Sequence, residues 1–171
     1  METNNTRAAA ELGLGGAGGD AEQYLTFMLN GEEYGVDILR VQEIKGWNAT
    51  TRIPNTPDYI RGVMNLRGSI VPIIDLRSRF AMPAIEYTAT TVVIVLKVHN
   101  DGVERTIDFV VDAVSDVYNV GADQFRAAPD FGTHVVTDFI RALATVDEKM
   151  VILLDIDRLL NIDEVSSVTE H

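Results

Sequence analysis

Cysteine is absent from the 171 residues. That excludes disulfides, thiolate metal sites, thiol nucleophiles and cysteine-held clusters. Histidine is scarce, at three residues (His99, His134 and His171), and no two stand three to five positions apart, so no local metal-ligating pair exists. Basic residues are also few: 14 Lys and Arg face 26 Asp and Glu, a formal net charge of −12. Such a chain repels phosphate backbones and anionic lipid surfaces, and neither nucleic acid nor a bilayer is an expected partner. No apolar run approaches the roughly 18 residues of a membrane span. No basic segment leads into an apolar one at the start, so a soluble cytoplasmic protein is expected. G-x-S-x-G, S-x-x-K, H-E-x-x-H and the phosphate-binding G-x-x-x-x-G-K are all missing.

What remains is a globular mixture, 46% apolar and 23% charged, long enough to bury a core without staples. Residues 1–22 stand apart, with five glycines from Gly13 to Gly19 and few large apolar side chains. They read as a flexible Gly/Ala tail. Gly13-Leu14-Gly15-Gly16-Ala17-Gly18 fits the dinucleotide pattern G-x-G-x-x-G, but no strand precedes it, so the match carries no nucleotide site. The acidic, polar stretch 162–171 reads as a second tail.

The body, 23–161, is rich in short strands and turns. Tyr24 to Leu29 alternates and runs into Asn30-Gly31, a strong hairpin signal, with Tyr34 to Val36 returning. Asp37 can cap a short helix carrying Ile38, Val41 and Ile44 on one side. Trp47 to Ile53 reads as strand. Thr56-Pro57 reads as a cap and first-turn proline, which predicts a helix to about Leu66 with Tyr59, Ile60 and Val63 inward. Ser69 to Ile74 is a predicted strand, its Pro72 suggesting an edge or bulge. Thr91 to Val98 and Val103 to Val111 form a hairpin across Asn100-Asp101-Gly102. Val117 to Val120 and Met150 to Leu154 follow as strands, the last leading into a short helix. This pattern points to small closed β-barrels.

An internal echo divides the body. DYIRGVMNLRGSIVPIIDLRSRF, from Asp58 to Phe80, returns 80 positions later as DFIRALATVDEKMVILLDIDRLL, from Asp138 to Leu160. Asp58, Ile60, Arg61, Val71 and Asp75 recur identically. A weaker echo links Val36-Asp37 with Val111-Asp112. Two similar β subdomains follow, with a boundary near residue 85 and exchange of strands between them left open.

Chemistry-bearing constellations are few. Asp37, Asp75 and Asp155 each follow an apolar stretch and precede a helical turn, as capping residues do. Arg61, Gly62, Asn65, Leu66, Arg67 and Gly68 make a basic, polar cluster in an acidic protein. It reads either as an interface, since the arginine fork grips carboxylates bidentately, or as a helix end with an arginine complementing the dipole and a glycine closing it. Val41-Gln42-Glu43-Ile44 is open in the same way. A small-molecule-binding barrel, or an enzyme using a cleft between the subdomains, stands as the alternative to a binding module.

These blocks together resemble the CheW family of chemotaxis coupling proteins. Glu33-Tyr34-Gly35-Val36-Asp37-Ile38 with Val41-Gln42-Glu43-Ile44 resembles its first block, and Thr51 to Pro57 continues it. Arg61 to Gly68 with Ile70 to Arg77 is similar to its strongest signature. Asp108 to Val117 and Met150 to Asp155 match its later strands. The resemblance spans about residues 23–161. It implies a mainly β fold of two SH3-like five-stranded barrels packed on a shared core, with short helices, no cofactor and no catalysis. It implies an adaptor joining chemoreceptor cytoplasmic tips to the C-terminal regulatory domain of the histidine kinase CheA, beside other CheW copies in array rings. Receptor-contacting positions map to Val41, Glu43, Gly62, Asn65 and Arg67. A kinase-facing or ring-forming loop maps to Arg126, Asp130 and Phe131. Ala128 departs from the pattern, standing where proline is common, and the Gly-rich tail has no counterpart in the family core.

Overall fold

The computed structural model describes residues 21–47, 54–100, 102–127 and 139–159. Eleven strands are described: β1 (Glu22–Leu29), β2 (Glu32–Asp37), β3 (Val41–Gly46), β4 (Ile60–Leu66), β5 (Ser69–Asp75), β6 (Val92–Asn100), β7 (Val103–Val111), β8 (Ala113–Val120), β9 (Phe125–Arg126), β10 (Ile140–Val146) and β11 (Lys149–Leu154). One helix of a single turn, α1 (Leu76–Arg79), follows β5. They form two sheets, ordered β8-β1-β2-β11-β10-β9 and β3-β6-β7-β5-β4.

The 80-residue echo is a structural repeat. β4 and β10 pair with β5 and β11 in matching registers, and each of β4 and β10 carries a bulge at its recurring arginine, Arg61 or Arg141. The backbone N–H of Asp75 donates to Tyr59 at 2.8 Å, and that of Asp155 to Phe139 at the same distance. Both aspartates then cap, Asp75 accepting from the Arg77 N–H at 2.9 Å and Asp155 from the Asp157 N–H at 3.2 Å. A cut near residue 85 separates the repeats in sequence but not in space. The β1–β2 hairpin pairs with β8 and β11 of the second repeat, and the β6–β7 hairpin pairs with β3 and β5 of the first.

Three two-residue turns explain much of the register. Asn30-Gly31, Arg67-Gly68 and Asp147-Glu148 all have positive φ at both positions. This mirror-image turn matches the twist of paired strands. It also overturns the helix expected from Thr56 to Leu66. Thr56-Pro57 opens a tight turn instead, with the Ile60 N–H donating to Pro57 at 3.0 Å. Ile60, Val63 and Gly62 are poor helix formers, and pairing with β5 satisfies their backbone. The short helix expected after Asp37 is likewise one 3-10 turn, Ile38–Arg40, before β3 begins; Asp37 does cap it, accepting from Leu39 at 2.9 Å. Trp47 lies just past β3 and outside any strand, and the rest of that expected strand, 48–53, is outside the described residues. Pro72 pairs with Val63 of β4, and β7 joins β5 from Ile73 onward, so the missing N–H falls where β5 has one neighbour.

Packing concentrates between the sheets. Twenty buried side chains form the shared cluster, threaded by the rings of Phe27, Tyr34, Phe80 and Phe139 at successive centroid distances of 6.0, 6.0 and 5.8 Å. Within the curl of the first sheet lie six buried residues, and within that of the second lie four, Ile73, Val93, Val95 and Val110. The shared cluster between the sheets is the largest of the three. Arg79 marks the repeat axis: its guanidinium stands 4.9 Å from the Tyr59 ring and 4.5 Å from that of Phe139, its repeat partner.

Candidate functional site

The five positions mapped to a receptor face all lie on the second sheet. Val41 and Glu43 belong to β3, one edge of that sheet, and Gly62 and Asn65 to β4, the opposite edge. Arg67 occupies the turn from β4 to β5 at φ 53°. Its guanidinium is paired with Glu43 at 3.0 Å. Residues on opposite edges of a five-stranded sheet meet only where the sheet is rolled, and this ion pair closes the seam. Arg67 stays 75% exposed and Glu43 31% exposed, so both remain within reach of a partner.

The other members support that pair in different ways. Asn65 accepts the Gly68 N–H through Oδ1 at 2.9 Å, which fixes the turn that presents Arg67. Gly62 sits at the β4 bulge with φ 148°, a conformation that disfavours a side chain. Val41, half-buried, packs on the shared core beside the β3 bulge. The helix-end reading of the cluster is thereby removed, because no helix precedes Arg67. Flanking elements expose apolar side chains: Leu39 at 86%, Ile44 and Ile70.

The first sheet closes by the equivalent device. Lys149, just past the Asp147-Glu148 turn, donates to the Tyr118 hydroxyl on edge strand β8 at 2.9 Å and stands 3.3 Å from Glu33. The hydrogen bonds from Lys149 to Tyr118 and Glu33 hold its ammonium pKa above the ordinary value. Of the second mapped loop, Arg126 is exposed on β9 and donates to the carbonyls of Asp123 at 2.7 Å and Phe125 at 2.9 Å. Asp130 and Phe131 are outside the described residues.

Near the seam, sequence reading singled out Arg61 without its aromatic neighbour and passed over Lys45 and the burial of Asp108. Arg61, at the bulge, lies 5.3 Å from the Tyr87 ring centroid, and Tyr87 donates to Asp75 at 2.6 Å while packing edge-on against Trp47. Burial, then that hydrogen bond, pushes the Tyr87 phenol well up. Lys45, half-buried on β3, follows Glu43 on the same face. Asp108, on β7, is fully buried with neither oxygen hydrogen-bonded. Burial pushes its carboxyl up to about 6, with Lys45 opposing and Glu43 reinforcing the shift. In its strand Asp108 stands between Ile107 and Phe109, and a lone acid flanked by apolar residues reads as turned to a wet face. In a rolled sheet packed on a second sheet both faces are dry, so that signal misleads. Among the described residues no three His, Asp or Glu side chains are grouped to hold a metal ion, and no helix is long and apolar enough to cross a membrane.

A family model, the CheW-like domain, matches residues 23–164. The chain belongs to the CheW-like family. It is 50% identical to the chemotaxis protein CheW of Klebsiella aerogenes over 147 residues, covering 86% of each chain. It is 33% identical to that of Rhizobium meliloti over 159 residues, covering 93% of this chain and 97% of the relative. The crystal structure of the scaffolding protein TtCheW from Thermoanaerobacter tengcongensis superposes with a TM-score of 0.75 at 30% identity, over 84% of this chain and 95% of that one. The family's proteins are scaffolding and adaptor proteins of chemotaxis, not enzymes, and the mainly β architecture of two sheets is theirs.

Proposed function

We propose that this chain is the adaptor that couples chemoreceptor cytoplasmic tips to the histidine kinase CheA, without chemistry of its own. The observation that supports the receptor face is the Arg67–Glu43 pair: an ion pair closing a sheet seam, with a largely exposed guanidinium in a protein of net charge −12. The arginine fork can exchange its internal carboxylate for one on a helical receptor tip at little cost, because an exposed ion pair is worth about 0–1 kcal/mol. Exposed Leu39, in the turn before β3, and Ile70, on β5 after the Arg67 turn, add apolar surface on the flanking elements. Val41, Glu43, Gly62, Asn65 and Arg67 form this receptor face, and Arg126 with Asp130 and Phe131 the face toward the CheA regulatory domain or further copies of the adaptor. The protein is cytoplasmic and is recruited to membrane-associated arrays through these contacts. Two weak contacts held in one array reinforce each other through effective concentration, and a receptor state that alters one contact shifts the other.

The experiment is co-sedimentation with receptor-bearing membranes and CheA, with kinase phosphorylation followed in parallel. Arg67→Glu should fold normally by circular dichroism, leave the pellet and abolish receptor control of the kinase. Undiminished association by that variant would overturn the receptor face.

A further inference from the structure

One lateral row crosses all five strands of the second sheet. Glu43 of β3 pairs with Val95 of β6, Val95 with Asp108 of β7, Asp108 with Ile73 of β5, and Ile73 with Gly62 of β4. Val95 and Ile73, on either side of Asp108, both belong to the apolar cluster inside the curl. Residues directly opposite one another in a sheet share a face, so Asp108 points into that cluster, toward the interior spanned by the seam. The charged groups that act on it are Lys45 and Glu43, both from β3. Its neighbours on β5 and β6 are aliphatic, and Gly62 ends the row on β4.

The first sheet shows what this position holds in the other repeat. Leu153, the repeat partner of Ile73, pairs with Gly35 of β2, as Ile73 pairs with Asp108. A Cβ at Gly35 would lie 3.0 Å from Leu153 and 3.4 Å from Val151. A side chain there would have to push Leu153 aside, whereas the second interior holds a carboxyl whose two oxygens accept no hydrogen bond. Packing alone does not call for an acid there, since an apolar side chain would leave no orphaned polar atom.

We propose that Asp108 is a proton-controlled charge beneath the Glu43–Arg67 seam, and that its ionisation weakens the hold of this edge on a carboxylate-bearing helical partner. With Asp108 protonated, Glu43, Lys45 and Arg67 give the edge one net positive charge. With Asp108 ionised that charge is cancelled, Lys45 is drawn toward the interior, and Glu43 is pressed outward. A partner that covers the seam also removes solvent from above the carboxyl, which favours its neutral form further. Binding and protonation then assist each other by linkage. The proposal rests on the receptor-face reading for its partner, but the coupling inside the chain does not.

The test has two arms. In the full-length chain, the side-chain carboxyl carbon of Glu43 and the Nε of Arg67 are followed by NMR from pH 4.5 to 8.5, in wild type and in Asp108→Asn. Wild type should show an extra inflection at both groups, coincident with the titration of the Asp108 carboxyl itself, and the variant should lack it. Next, binding to a soluble receptor-tip fragment is measured at pH 5.5 and 7.5. Kd should rise about three- to tenfold more in wild type than in Asp108→Asn, the effect of one charge across a partly screened site. Titration of Asp108 with no response at Glu43 or Arg67 overturns the coupling, and equal pH dependence of binding in both proteins overturns the effect on the partner. If no fragment binds at any pH, the receptor face is wrong, and the resonance arm still decides the coupling.

Discussion

Arg77 grips Asp112 with two 2.8 Å hydrogen bonds, one from Nε and one from Nη2, at the end of the parallel pair β5 and β7. The other sheet carries the same clasp with its polarity reversed. Arg40, after β2, donates to Asp157, after β11, at 2.9 and 2.8 Å. Each aspartate also reaches across to the other sheet's hairpin, Asp112 accepting from the Asn30 N–H at 2.9 Å and Asp157 from the His99 N–H at 2.7 Å. The two clasps therefore tie each parallel junction to the hairpin exchanged over it.

Arg77 is buried, so deleting one partner strands the other. Arg77→Met should cost about 3 kcal/mol in urea denaturation. The double variant Arg77→Met with Asp112→Leu should cost less than the two single changes combined, though not nothing, since Asn30 loses its acceptor. Burial alone would raise the Asp112 carboxyl, but the bonds from Arg77 and Asn30 outweigh it and hold its pKa below the ordinary value. The stability it contributes is thus present above about pH 4, the unfolded carboxylate value, and is lost as pH falls through the lower folded value. A clasp variant that keeps the full acid-side slope would contradict this.

The Asp147-Glu148 turn holds a glutamate at φ 66° where its repeat counterpart has Gly68 at φ 89°. Left-handed backbone costs a side chain roughly 1 kcal/mol that glycine does not incur. Glu148→Gly should therefore raise stability by about 0.5–1 kcal/mol with an unchanged fold, read as a shift in the urea midpoint at constant slope. A loss of stability would mean that the Glu148 side chain makes an offsetting contact.

Gly35 is constrained by packing rather than by backbone angle, because the Cβ it lacks would meet Leu153 at 3.0 Å inside the first sheet's curl. Gly35→Ala should destabilise by about 1–3 kcal/mol through overpacking. Pairing it with Leu153→Val should recover part of that loss, whereas a purely additive double variant would place the cost elsewhere.

These cases show what was legible in the sequence. Asn30-Gly31 announced its hairpin because that dipeptide accepts positive φ at both positions. The 80-residue echo carried the repeat, since β4–β5 and β10–β11 fold alike down to the bulge. The helix expected over Thr56 to Leu66 failed because Thr56-Pro57 opens tight turns as readily as helices; the turn at Arg67-Gly68 was legible, but not that it closes a hairpin rather than a helix. The site was half visible: resemblance picked out Glu43 and Arg67 separately, but only the rolled sheet brings them to 3.0 Å. Asp108 was invisible as a buried group, since an acid between Ile107 and Phe109 reads as turned to water and only the packed sheets make that face dry.

Asp108 also makes the stability of the native chain depend on pH. Its folded carboxyl is pushed up to about 6, by burial first of all, while the unfolded value is about 3.9. Between those values the native chain keeps a proton that the unfolded chain has released. This contribution to stability is complete below about pH 4, declines as pH rises toward 6 and is absent above it. Asp112 and Asp157, both shifted down, act with the opposite sign and at lower pH, so the difference between wild type and Asp108→Val from pH 4.5 to 7 reports Asp108. Urea denaturation of wild type should show stability falling across that window, and Asp108→Val should flatten this component. Near pH 7.5 the valine variant should be more stable than wild type by about 1–2 kcal/mol, because an apolar side chain among Ile73, Val95 and Val110 leaves no buried acceptor unpaired. Equal pH slopes in the two proteins would mean that the carboxyl finds solvent or a cation in the native state.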